Sequence, residues 1–192
     1  MAANRIMRGG ATRRSAIALA ALIAATALAS CGGGQGPTTA ALDKAGDGEA
    51  LNAILSRQLG AVAAYEQSLR GIGPPYLALA RRFLAQEQEH VDATLKALRG
   101  TGVPAEAEPE RIPTGRPRHQ QDYLRFLYEL ESATIEAEVG AIGQLTAPAA
   151  RTMLAATVAD QAQHLVWLRR ALGAKPIDTF PGAFENGTAA AP

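Results

Sequence analysis

The sequence predicts an all-α protein, an up-down four-helix bundle with one long crossover between helices two and three. Three observations predict it. Apolar residues recur at spacings of three and four over four long segments, and no stretch alternates at period two over strand length. A proline-rich segment, residues 101–117, divides the four segments into two pairs.

The first helix is expected to open at about residue 48 with Asp47 as its N-cap, and to turn Leu51, Ile54, Leu55, Leu59, Val62 and Leu69 to the core. Gly71, Gly73, Pro74 and Pro75 end it. The second helix should run from about Pro75 to Arg99, burying Leu79, Phe83, Val91, Leu95 and Leu98, with Gly100 closing it. Pro104, Pro109, Pro113 and Pro117 then exclude a helix. Extended, that segment reaches about 55 Å, against roughly 37 Å for the helix before it, so it can run the length of a bundle and return the chain. The third helix should span about Arg118 to Leu145. The fourth follows Thr146, carries Pro148 in its first turn, and stops at Gly173 and Pro176.

The ends read differently. Residues 1–31 hold Arg5, Arg8, Arg13 and Arg14, no acid, and the apolar run SAIALAALIAATALA, the pattern of a secretory signal. Its exit, Leu28-Ala29-Ser30-Cys31, resembles the bacterial lipobox, which implies cleavage before Cys31 and a lipid on its thiol. Thr12-Arg13-Arg14 resembles in part the start of a twin-arginine export signal. Cys31 is the sole cysteine of the 192 residues, so no internal disulfide forms. Residues 32–47, rich in glycine and small polar residues, are expected to be a flexible tether, residues 48–173 the bundle, and residues 174–192 a tail that packs over one end and frays. The expected location is outside the cytoplasm, on a membrane held through Cys31.

Charge excludes one class of partner. The chain has 19 basic and 18 acidic residues. Removing the signal takes four arginines and no acid, leaving a net charge near −3. With few aromatics and no basic run among them, nucleic-acid binding is excluded. A homodimer stays open, and no protein partner is indicated.

Each apolar stripe is interrupted near its middle by polar residues. Helix one meets Gln58, helix two Glu87 and His90, helix three Glu131 and then Glu138, helix four Gln161 and His164. Counted from the turn of each hairpin, Gln58, Glu87, Glu131 and Gln161 lie at similar heights. Burying the six other than Glu138 in one layer is unfavourable unless they satisfy one another or bind something. Imidazoles with carboxylates suit a divalent cation, and Glu87 and His90 share a helix face.

Over about residues 48–173 this pattern resembles the ferritin-like family. The family's site takes a glutamate from each of two helices and a Glu-x-x-His from each of the other two. Carried over, the resemblance makes Gln58 the first glutamate position, Glu87-x-x-His90 the first motif, Glu131 the second glutamate and Gln161-x-x-His164 the second motif. The closing FPGAFENG looks like the tail of exported members.

Glutamine stands at two of the four carboxylate positions. Two divalent ions would then bring four positive charges against two negative, which disfavours a dinuclear centre. Two states remain. In one, Glu87, His90, Glu131 and His164 hold a single iron, manganese or zinc ion, with Gln58 and Gln161 as outer hydrogen-bond partners. In the other, the six residues form a metal-free hydrogen-bonded network. Glu138, Asp160 and Glu66 are weighed as substitute ligands, each more often a solvated or capped charge. Tyr128 is weighed as a redox side chain but expected to be packing, and His119 is expected at the surface.

Two functional classes follow. One is a lipid-anchored, non-catalytic binding or structural protein with a degenerate metal site. The other is a mononuclear metal-binding or redox protein that oxidises iron or handles peroxide, a metal-dependent oxidoreductase. No Ser/His/Asp or Cys/His constellation is present.

Overall fold

A computed structural model describes residues 38–175. The signal, Cys31 and the tail from residue 176 lie outside the described residues. Four helices follow in order: α1 (Thr39–Ser68, continued by a 3-10 turn over Leu69–Gly71), α2 (Leu77–Thr101), α3 (Gln120–Ile142) and α4 (Pro148–Ala171). No helix among the described residues is long and apolar enough to cross a membrane.

The helices pair as antiparallel hairpins, and the crossover sets how the hairpins meet. Residues 102–119 run beside α1 from Gly48 to its C-terminal end. The Asn52 side-chain amide donates to the Pro104 carbonyl, Glu110 N–H to the Ser56 carbonyl, Gln67 to Thr114, and Gly73 N–H to the Gln120 side chain. At Gly60 a Cβ would lie 2.6 Å from the Glu110 carbonyl oxygen, so the missing side chain lets the crossover lie directly on the helix. Because the crossover returns the chain to the far end, α3 runs antiparallel to α1 and α4 antiparallel to α2.

The start of α1 corrects the sequence expectation. Residues 39–47, assigned to the tether, are helical, and the N-cap is Thr38, whose hydroxyl accepts from Ala41 N–H. Asp47 sits inside the helix and is buried. Its carboxylate accepts from Thr146 N–H at 2.6 Å, Ala147 N–H at 2.9 Å and the Thr146 hydroxyl at 3.1 Å. It thus ties α1 to the loop that leads into α4 rather than capping α1. Gly48 follows because Val103 occupies the space its Cβ would need. At Gly48 this tertiary contact overrides the low helix propensity of glycine. Asp47→Ala should cost about 1–3 kcal/mol, since it removes the shared acceptor of three part-buried hydrogen bonds that tie α1 to the α3–α4 loop, and urea titration checks it. The end of α2 is corrected by two residues: Gly102, with φ 79°, is its left-handed cap, not Gly100.

The apolar core is two clusters separated by a polar layer. One contains Tyr65, Phe83, Leu124, Leu127, Leu165 and Leu168, the other Leu51, Leu55, Leu98, Leu145 and Leu154. Between them lie Gln58, Glu87, His90, Thr94, Glu131, Glu138, Gln161 and His164, all buried.

Candidate metal centre

All six site residues expected from the sequence are buried in this layer, and three of them converge. One ligand atom each from Glu87, Glu131 and His164 lies within 4.8 Å of the others. His164 Nδ1 is 2.9 Å from Glu131 Oε1 and 3.7 Å from Glu87 Oε1. His90, expected in the same set, stands beside it. Its Nδ1 lies 3.4 Å from the same Glu87 oxygen, so Glu87 is placed between the two imidazoles.

The glutamines do not join this set. Gln58 donates its amide at 2.9 Å to Glu138 Oε1, and Gln161 has no hydrogen-bond partner at either amide atom. A closed network among the six residues therefore does not form; the one short pair is Glu131 with His164. Glu138, read as a solvated or capped charge, is fully buried. This corrects the carboxylate count. Glu131 and Glu138 are seven residues apart on α3, so both face inward on one stripe. Glu66 is exposed, Tyr128 is buried and accepts from Arg169, and His119 is exposed at the start of α3.

Two residues with a role here were missed by sequence reasoning. Tyr65 donates its phenol to Glu131 Oε1. It was readable as a member of the α1 stripe, seven residues after Gln58. Gln86 donates to both oxygens of Asp160, at 3.0 and 3.1 Å, and its Oε1 lies 3.3 Å from His164 Nε2. Asp160 in turn lies 3.2 Å from His90 Nε2. The residue before each motif thus contacts the histidine of the other hairpin. The signal was the matched position in AQEQEH and ADQAQH.

These outer contacts orient the rings. An Nε2–H donated to Asp160 leaves Nδ1 of His90 as a lone pair aimed at the Glu87 carboxylate. Two acceptors then face each other with no proton between them. Both oxygens of Glu87, Oε2 of Glu131, Oε2 of Glu138 and Nδ1 of His90 have no hydrogen-bond partner. A buried layer so rich in unshared acceptors needs protons or a cation.

The titration directions say the same. Burial pushes the Glu87 carboxyl up, Glu131 pushes it further, and the histidines only partly offset this. Burial raises Glu138 to about 8, against the hydrogen bond from Gln58. For His164, burial opposes the charged ring, but Glu131, Glu87 and Asp160 outweigh it and raise its pKa. His90 is raised in the same way, against burial, chiefly by Glu87. Without a cation, protons gather here. The fit to a divalent ion is good, since the donors are carboxylate oxygens and imidazole nitrogens held by a surrounding hydrogen-bonded shell. A cleft of about 250 Å³ between α2 and α4, lined by Arg82, Phe83, Gln86, Asp160, His164 and Trp167, reaches the edge of the layer at His164.

Comparison with known proteins agrees with this fold. The model of the ferritin-like domain family matches residues 46–174. Among solved structures, a conserved hypothetical protein of Mycobacterium tuberculosis, rv2844, superposes with a TM-score of 0.63 at 20% identity, covering 74% of this chain and 99% of that one. A structure described as ferritin like, diiron-carboxylate proteins, from Bacillus anthracis superposes with a TM-score of 0.58 at 20% identity, covering 68% and 98%. No curated protein matches the sequence. At that identity the solved structures establish the fold, and the family match covers most of the chain: the protein belongs to the ferritin-like domain family.

Proposed function

We propose that this domain binds a divalent metal ion at Glu87, Glu131 and His164, within an exported protein held to a membrane through Cys31. The observation that carries the binding reading is the meeting of two carboxylates and one imidazole within 4.8 Å, with both Glu87 oxygens unpartnered. Two negative charges and a neutral ring nitrogen balance one divalent ion, and iron(II), manganese(II) or zinc(II) suits that donor set. A redox-active ion held there would supply one-electron chemistry. The chain's own contribution is to orient two imidazoles through Asp160 and Gln86 and to surround the ion with apolar clusters.

Metal content tests the binding reading. Residues 32–192 are stripped with chelator, loaded anaerobically with iron(II), manganese(II) or zinc(II), desalted, and assayed for metal by mass spectrometry. At least one ion per chain should be retained, and Glu87→Ala should lose it. Retention of none of the three metals would sink the proposal. If iron is retained, oxygen consumption by the loaded protein separates an oxidoreductase from a binding protein.

Anchoring rests on Leu28-Ala29-Ser30-Cys31, outside the described residues. In the full chain, Cys31→Ser should move the protein from the membrane fraction to the soluble fraction. If the variant stays in the membrane fraction, the lipid anchor is refuted.

A further inference from the structure

The two hairpins repeat each other, and the repeat shows an exchange. Gln58 of α1 corresponds to Glu131 of α3, and Tyr65 of α1 to Glu138 of α3, since each pair is seven residues apart on its helix. The antiparallel packing of α1 on α3 then joins them crosswise. Tyr65 donates to Glu131 in one half of the layer, and Gln58 donates to Glu138 in the other. Each half therefore keeps one carboxylate and one neutral donor. Both donors sit on α1, and both carboxylates sit on α3.

We propose that Glu138 supplies the carboxylate that Gln58 does not, and that with His90 and Glu87 it forms a second divalent-cation position in the same layer. This deepens the reading of the Glu87–Glu131–His164 centre and rests on it.

Four observations support the assignment. Glu138 is fully buried, and its Oε2 has no hydrogen-bond partner. A Cα–Cβ bond in a helix tilts toward the N-terminus, so Glu138 leans along α3 toward Glu131 and the centre of the layer. The groups near enough to act on Glu138 electrostatically include Glu87 and His90, and both Glu87 oxygens and His90 Nδ1 lack hydrogen-bond partners. Charge also permits it. Glu87, Glu131 and Glu138 bring three negative charges into the layer, and Asp160, 27% exposed, adds a fourth at His90. Two divalent ions are then balanced, which the count from sequence denied. Glu138 stands outside the set that converges within 4.8 Å, so binding there needs a rotation of its side chain away from Gln58.

Cobalt(II) is the probe, because its visible absorption reports coordination independently of any activity. The full domain, residues 32–192, is titrated anaerobically, and bound cobalt is counted by equilibrium dialysis. The wild-type chain should take up two ions, the second more weakly, and Glu138→Gln should keep one. The exchange variant Gln58→Glu/Glu138→Gln should recover the second ion, because it restores one carboxylate per half. That recovery separates ligation from a folding effect. If the wild type binds one ion and Glu138→Gln leaves it unchanged, the second position is refuted while the first centre stands. If Glu138→Gln still binds two, Glu138 is not the ligand. If the wild type binds none, the metal-binding reading itself fails, and this inference with it.

Discussion

In metal-free protein Glu138 alone should account for a loss of up to about 5 kcal/mol of stability as pH rises from about 4.5 through about 8, and Glu138→Gln should remove that part of the pH slope. Glu138 titrates at the ordinary carboxyl value of 4.5 when unfolded and at about 8 in the fold, because burial penalises its anion. The folded state therefore holds this proton more tightly than the unfolded state. Its contribution is fully present below 4.5 and is lost as pH rises through the folded value. His90, His164 and Glu87, all raised, slope the same way and stay in the variant. The size matters because a domain's whole stability is about 5–15 kcal/mol. Glutamine at position 138 can still accept from Gln58 through its amide oxygen and never ionises. Denaturant midpoints at pH 5, 7 and 9 in chelator, for both proteins, measure the difference. Equal pH slopes would show that Glu138 ionises freely in the fold.

Metal affinity should move the opposite way with pH. The proton-rich state of the layer competes with the cation, since Glu87 and both histidines are raised and must give up their protons to bind it. Below about pH 6.5 the apparent affinity should fall about tenfold per pH unit for each proton displaced, so two displaced protons give about a hundredfold per unit. Competition titrations with a chromophoric chelator between pH 5.5 and 8 read this directly. The same measurement shows metal-induced stabilisation: at a hundredfold excess of free ion over Kd, the unfolding free energy should rise by about 3 kcal/mol. A pH-independent affinity would place the ion away from these residues.

The fold was legible in the sequence because helical periodicity survives in a single chain. Spacings of three and four identify each stripe, and prolines between residues 104 and 117 fix the crossover. The same periodicity marked Gln58, Glu87, His90, Glu131, Gln161 and His164 as inward-facing, and all six are buried. Where local rules failed, tertiary contact had overridden them. Asp47 resembled an N-cap and instead holds the loop before α4, and the end of the expected tether, residues 39–47, is helical beside Gly48, which lies against Val103 of the crossover.

Pairing across the layer was decided by the tertiary structure. A stripe fixes the face of a helix but not the height at which another helix meets it. That height comes from how the hairpins pack and where the crossover lets α3 begin. It joins Gln58 to Glu138 instead of to the centre, sets Tyr65 against Glu131, and brings Asp160 and Gln86 to the far sides of the two histidines. The sequence by itself determined which residues face inward. Packing decided which of them meet, because buried charges are governed by neighbours a few ångströms away on other helices, and one-dimensional spacing carries no record of that distance.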